Sequence, residues 1–310
     1  MLYNIVKGVY NMRKGVILMA FIYVLITAVL FTTYEPVSKL LAADINPYAI
    51  TAIRFLIGAL ILLPFSIREI KQKNVKLQGK DFLIMGGLGT VFICGSMVLL
   101  QIAVKMAESP ALIAIVFSSN SIITIVLSAI FLRAKMTWVK WSGVALCIVG
   151  VLISADFSSG SNLTSVALAL ASALIFSAYT VVSKQYMKRV SGIIQNGFSF
   201  LLGSIVLGIV LLFLKVDIVG GVSMDNLPVL LYIGIAVSGI AYWTYFNAIK
   251  LGGAQTAALT FFIKPILTPF ATFFINGITP KGNILIAVVF VVAGAVLASG
   301  TLSSLKRSKE

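Results

Sequence analysis

No histidine occurs among the 310 residues, and there are only two cysteines and nine acidic residues. Without histidine the chain lacks the commonest metal ligand and the usual proton-relay group. Cys94 and Cys147 both lie in apolar runs, so no disulfide framework is implied. Charged residues of any kind make up 11% of the chain, against 60% hydrophobic residues and a mean hydropathy of +1.07. No water-soluble core could hide that much apolar surface, so hydrocarbon must be part of the solvent. No Walker loop, metal-binding spacing or catalytic triad is present, so neither an enzyme nor a cofactor is expected and no ATP site is visible.

What is present is apolar and periodic. Runs near 20 residues long, separated by short polar breaks, predict ten transmembrane helices over 15–41, 47–67, 82–104, 110–132, 138–155, 163–186, 193–214, 227–248, 254–275 and 283–302. The basic start followed by the apolar run from Gly15 to Tyr34 resembles a signal peptide. That run is too long and lacks a small-x-small cleavage site, so it reads as a retained first span. Met12-Arg13-Lys14 also looks like a start, which makes residues 1–11 a candidate dispensable extension.

The formal charge of +15 suggests nucleic acid in a soluble protein; in a membrane chain it marks cytoplasmic loops and anionic headgroups instead. With the N-terminus inside, the ten-helix layout places 18 of the 24 Lys and Arg on the cytoplasmic side and only Lys39, Lys105, Lys215 and Lys281 outside. Arg54 and Lys264 fall within spans. A multi-pass plasma-membrane protein with both termini in the cytoplasm is the expectation.

The sequence also repeats. FTTYEPVSK at Phe31–Lys39 returns as FSAYTVVSK at Phe176–Lys184, with five of nine positions identical at an offset of 145 residues. The same offset carries Leu25 and Ala28 onto Leu170 and Ala173, Arg54-Phe55-Leu56-Ile57-Gly58 onto Ser199-Phe200-Leu201-Leu202-Gly203, Gly89 onto Gly234, and Phe117 onto Phe262. The expected organisation is a cytoplasmic segment (1–14), a first five-helix repeat (15–155), a Ser-rich linker (156–162), a second repeat (163–302) and a cytoplasmic tail (303–310). Five is odd, so the second repeat enters the membrane from the opposite side. Inverted repeats of this kind are the architecture of alternating-access carriers, with the substrate site near the midplane between the halves.

Three ionisable residues lie within spans, where each costs roughly 2.5–3.5 kcal/mol on insertion scales and so needs a reason. Lys264 lies ten residues into the expected ninth helix, near the midplane, and is followed by Pro265 and Pro269, which should kink or break that helix. The repeat places Ser119 and Asn120 at the same depth in helix 4. These residues, with Lys264 and Pro265, form a candidate substrate site; alternatively, Lys264 pairs with helix carbonyls and the serines bond back within their own helix. Glu35, beside Pro36, is a candidate for proton or substrate coupling. It could equally pair with Arg54 or Lys39, sit at the lipid interface, or meet a substrate ammonium. Arg54 reads as a structural or cavity charge tying helix 2 to carbonyls or to Glu35. Lys39 and Lys184 are expected to snorkel to opposite surfaces. Tyr242 to Phe246 reads as an interfacial aromatic belt, although Tyr242 and Tyr245, on one face, could line a cavity instead.

Several motifs together resemble the EamA-type members of the drug/metabolite transporter superfamily over nearly the whole chain. They are the F-x-x-Y…V-S-K end of helix 1, Arg54-Phe55-Leu56, the turn from Ala103 to Ala111, Lys264-Pro265, and the Gly-ended helices 5 and 10. The resemblance implies an all-α bundle of ten helices around a central cavity and the export of small metabolites. The chain departs from the usual pattern at Arg133-Ala134-Lys135, where an acidic residue is common, and at Asn120, which replaces a proline. The function expected is secondary transport of a small amino acid or carboxylate, with a proton gradient as one candidate driving force. A lipophilic-cation exporter and a passive facilitator are the alternatives. The expected partners are a small-molecule substrate and membrane lipids, not nucleic acid; a homodimer is compatible with the sequence.

Overall fold

A computed structural model describes residues 2–132, 136–154, 160–187 and 189–299. Arg133-Ala134-Lys135, residues 155–159 of the expected linker and the tail 303–310 lie outside the described residues. Among the described residues the structure is helical, with no strand. In chain order the apolar helices are α1 (Leu18–Asp44), α2 (Pro47–Lys73), α3 (Gly79–Met106), α4 (Pro110–Phe131), α5 (Trp138–Ser154), α6 (Leu163–Tyr186), α7 (Gly192–Phe213), α8 (Leu227–Leu251), α9 (Thr260–Asn276) and α10 (Gly282–Ala298). Seven of them have the length and composition to cross a bilayer; α5, α9 and α10 are shorter.

The packing follows the repeat. Helix α2 lies on α7, and α5 on α10. The remaining neighbours come in matched pairs: α1 packs on α8 and α9 as α6 packs on α3 and α4, and α2 meets α8 as α7 meets α3. Moving five helices along the chain turns each contact into its partner, so two equivalent halves share the α2–α7 and α5–α10 seams.

Small residues permit this closeness. A Cβ on Gly89 would lie 2.0 Å from the Ser199 carbonyl oxygen, and one on Gly203 would lie 2.5 Å from the Gly89 backbone. A side chain at either site must push two helix backbones apart, a kind of overpacking that typically costs about 1–3 kcal/mol. Gly89→Ala is therefore expected to lower the melting temperature and the monodisperse yield, whereas Gly87→Ala, where a Cβ meets nothing within 4 Å, leaves both unchanged. Thermal-shift measurement with size-exclusion chromatography checks this.

Four irregularities interrupt the helices. In α1 a turn at Thr33 separates Leu2–Thr32 from Tyr34–Asp44. Pro36 sits in the first turn of the second piece, where a missing backbone N–H is tolerated. In α4 the break is at Ser119, between Pro110–Ser118 and Asn120–Leu132. No proline is involved there. The side chains of Ser118, Ser119, Asn120 and Ser121 donate back to the carbonyls of Ala114, Val116, Phe117 and Ser118, competing with the regular ladder. Helices α3 and α8 each contain a π segment, Val91–Met97 and Ile233–Ile240. Shifted by 145 residues, 91–95 fall on 236–240, so the two halves share this distortion.

The first apolar span, Leu18–Asp44, falls close to the expected 15–41, and its helix extends back to Leu2. The structure corrects two other expectations. The expected gap between helices 8 and 9 is itself helical: Ala241–Ala258 runs through Gly252-Gly253, and the interruption falls at Leu259. Lys264 thus lies five residues past a helix break rather than ten residues into an uninterrupted helix. Nor does Pro265 or Pro269 break α9, which is continuous from Thr260 to Asn276. The hydroxyl of Thr268 donates to the Lys264 carbonyl at 2.8 Å, adding a side-chain bond between the two prolines.

Candidate functional site

The break in α1 swings Tyr34, Glu35 and Ser38 inward, where all three are buried. Glu35 is fully buried and its Oε1 accepts from Lys264 Nζ at 2.5 Å, linking α1 to α9. Lys264 is only 4% exposed, and among the described residues Glu35 Oε2 has no hydrogen-bond partner. The Lys264 ammonium lies 5.5 Å from the centre of the Phe117 ring, within cation–π range, and 6.0 Å from that of Tyr34. Two solvated ions lose much of their hydration in such a place, and their mutual attraction offsets that only while both are present.

Arg54 is buried beside this pair. Its guanidinium donates to Ser238 Oγ at 3.2 Å and to Tyr34 Oη at 3.3 Å. It lies 4.4 Å from the Tyr34 ring centre and 4.0 Å from that of Phe55, and its buried Nε has no partner among the described residues. Tyr34 Oη and Ser38 Oγ in turn donate to Gln101 Oε1 at 2.9 and 2.6 Å, which fixes α1 against α3. Among the described residues Arg54 has no carboxylate within ion-pair distance.

Arg54 and Lys264 both line one narrow cavity of about 40 Å³. Most of its remaining wall is aromatic: Phe31, Tyr34, Phe117, Phe176, Tyr242, Tyr245 and Phe261. Tyr242 meets Phe31 and Phe200 edge-on at 5.1 and 4.9 Å, so the wall is a packed array. The side chains come from α1, α2, α3, α4, α6, α8 and α9, so the chamber lies between the two halves. Among the described residues no group of three or more His, Cys, Asp or Glu could hold a metal.

The expected site residues are thus only partly brought together. Glu35, Arg54 and Lys264 converge, and Glu35 pairs with Lys264 rather than with Arg54 or Lys39. Tyr242 and Tyr245 line the cavity instead of forming a belt at the interface. Pro265 is buried in α9 beside Lys264. The side chains of Ser119 and Asn120 bond within α4, and Ser119 lines an apolar pocket between α4, α5 and α6 instead of the central one; helix 4 reaches the chamber through Phe117. Lys39 does not simply snorkel: its ammonium donates to the carbonyls of Lys105 and Ala107 at 2.7 and 2.6 Å. Tyr34, Ser38 and Gln101 were not expected at the site. A lone amide in the apolar run of α3 was the signal for Gln101.

A many-helix apolar bundle folded in two equivalent halves around a buried, charged chamber defines a multi-pass membrane protein of the transporter class. The EamA-like transporter family matches residues 18–155 and again 163–300, and the chain belongs to that family. It is 32% identical over 295 residues to a Clostridium kluyveri protein named "Uncharacterized transporter", covering 92% of this chain and 93% of that protein. It is also 25% identical over 273 residues to the "Uncharacterized transporter YyaM" of Bacillus subtilis, covering 83% and 86%. A solved crystal structure of a protein 21% identical has the same fold, with a TM-score of 0.65 over 92% of this chain and 98% of that one.

Proposed function

We propose that this chain is a secondary carrier that exports a small carboxylate-bearing metabolite, amino acids included, across the plasma membrane by alternating access. In this reading ten spans form two inverted halves with both termini in the cytoplasm. The observation that carries it is the charge of the chamber. Two cations line it, one carboxylate is already bound to Lys264, and among the described residues Arg54 has no carboxylate within ion-pair distance. A buried guanidinium surrounded by ring faces and hydroxyls is a receptor for a planar anion, because its fixed donors match a carboxylate.

The substrate carboxylate binds Arg54 and competes with Glu35 for Lys264. Glu35, released from its partner, takes either the substrate's ammonium or a proton, so the chamber never holds an unpaired acid. The aromatic walls bury the substrate's apolar part and exclude water, which strengthens each of these bonds. Because the pair joins α1 to α9, exchanging its partners changes the energy of the helices that must move.

The aromatic walls favour a second reading, a lipophilic cation held by ring faces and Glu35. Proteoliposomes separate the two. The proposal expects saturable uptake of labelled carboxylates, with ethidium and tetraphenylphosphonium excluded; the reverse pattern would replace it with the cation exporter.

A further inference from the structure

We propose that the buried polar face of α9 from Thr268 to Asn276 is a proton path between Glu35 and the outer surface, and that a proton on Glu35 crosses together with the substrate carboxylate. This rests on the carrier reading above and adds to it the coupling ion and its route.

Helix α9 carries polar side chains at four-residue spacing, Lys264, Thr268, Thr272 and Asn276, over about 18 Å at 1.5 Å per residue. Thr268 and Thr272 are fully buried. Helix α9 meets α1 at two levels: Lys264 Nζ bonds Glu35 Oε1, and Asn276 Nδ2 donates to the Pro36 carbonyl at 3.0 Å. The two threonines fall between these contacts along α9. The scaffold does not ask for hydroxyls there. In α4, the repeat partner of α9, the positions 145 earlier are Ile123, Leu127 and Phe131.

Nor does the protein satisfy all of these groups itself. A threonine buried in an apolar helix can return its hydroxyl to the carbonyl four residues back, as Thr32, Thr51 and Thr268 do. Thr272 does not. Among the described residues its hydroxyl has no partner, and neither do the buried oxygens Asn276 Oδ1 and Glu35 Oε2. A buried polar atom left unbonded costs about 1–3 kcal/mol. Three of them where α1 meets α9 are the lining of a hydrated path, because water bonds to buried groups that the protein leaves unsatisfied. A threonine hydroxyl both accepts and donates, so it can pass a proton as well as hold water.

The path has two ends. Asn276 is half-buried where α9 stops, and a pocket of about 120 Å³ follows, lined by Glu108, Ser109, Thr279 and Lys281. At the other end, the groups that set the charge around Glu35 are Lys264 from α9, Arg54 from α2 and Tyr34 from α1. Helix α3 brings the amide of Gln101, α8 brings Tyr232 and Tyr242, and Pro110–Ser118 of α4 has no ionisable side chain. While the substrate carboxylate holds Lys264, Glu35 is neutral with its proton on Oε2. That O–H bond breaks as the proton passes by way of Thr272 and water to the outer solvent. The carboxylate so formed takes Lys264 back and expels the substrate anion. For a monocarboxylate, one proton and one anion leave together and no net charge moves.

Proteoliposomes of the full-length protein, with a pH-sensitive dye inside and a labelled mixture of small carboxylic and amino acids outside, test this. An acidic exterior is expected to drive uptake of label and to acidify the lumen, both beyond what protein-free vesicles show. Thr272→Val keeps the side chain's shape and removes its hydroxyl. It is expected to slow acid-driven uptake by on the order of 100-fold, the low end of what a positioned proton-transfer group contributes. Counterflow at equal pH, which needs no net proton movement, is expected to stay at the parental rate. Thr272→Ser should restore acid-driven uptake, and the melting temperature of Thr272→Val should not fall, because no hydrogen bond is lost. If Thr272→Val keeps acid-driven uptake, or slows counterflow by the same factor, the path is overturned. Uptake in the parent that follows a sodium gradient and ignores the pH gradient overturns the proton as coupling ion, and the path with it. Absence of counterflow in the parent would sink the carrier reading itself.

Discussion

Removing either member of the Glu35–Lys264 pair is expected to destabilise the protein by about 3–5 kcal/mol, and replacing both by neutral residues to recover most of that loss. Lys264→Ala strands a carboxylate that is fully buried, with one oxygen already unpartnered. Glu35→Gln leaves the ammonium facing only ring faces and an amide, close to the charge of Arg54. In Glu35→Gln/Lys264→Met no uncompensated ion from the pair remains, so the apparent melting temperature should return towards that of the parent. Transport should not return, because all three variants have lost the group that hands its partner to the substrate. Thermal-shift measurement beside carboxylate uptake reads both outcomes. Additive destabilisation in the double variant would show that the two side chains are not energetically coupled.

Arg54 gives the second large effect. Arg54→Met is expected to weaken carboxylate binding by roughly 10–100-fold, the weight of one or more hydrogen bonds to a charged group in a site that excludes water. Arg54→Lys should recover little of this, since one ammonium cannot reproduce a two-donor fork. Stability and binding are separated by measuring how far a carboxylate raises each variant's melting temperature above its own ligand-free value. A purely structural Arg54 would lower the ligand-free melting temperature and leave the carboxylate-induced increment unchanged. The account expects that increment to shrink sharply in both variants, with a retained aromatic wall around Tyr242 and Tyr245.

Much of this arrangement was legible in the sequence because it depends on local chemistry. A duplicated motif with a gapless offset reports two equivalent halves whatever their packing, and Glu35, Arg54 and Lys264 stand out because charge is rare in an apolar span. Their pairing was not legible. Glu35 and Lys264 are 229 residues apart, and no repeat-related pair exists to suggest them, since the second motif has Thr180 where the first has Glu35. Local chemistry also misled. Gly252-Gly253 looks like a loop, but the helix continues through it and is interrupted at Leu259, where no Gly or Pro marks the position. Ser119 and Asn120 share the register of Lys264 in the repeat, yet hydroxyl and amide groups can satisfy themselves on their own helix, whereas a buried ammonium needs an anion. Tyr34 and Gln101 were hidden for the opposite reason. One looked like part of a scaffold motif and the other like an isolated polar residue, and only their contact shows that they hold Arg54 in place.

The Glu35-Pro36 departure from the repeat accounts for two features together. Pro36 follows the break in α1, and Glu35 supplies the carboxylate that the second half does not have. The scaffold is therefore symmetric while the charge inside it is not.

The most direct test of the central claim is counterflow in proteoliposomes. Vesicles are preloaded with an unlabelled mixture of small carboxylic and amino acids, and the entry of each labelled acid is followed outside. The account predicts that at least one acid enters saturably and faster when the same acid is loaded inside, and that Glu35→Gln/Lys264→Met abolishes this. Flux that rises linearly with concentration, ignores the internal acid and survives in the double variant would contradict it.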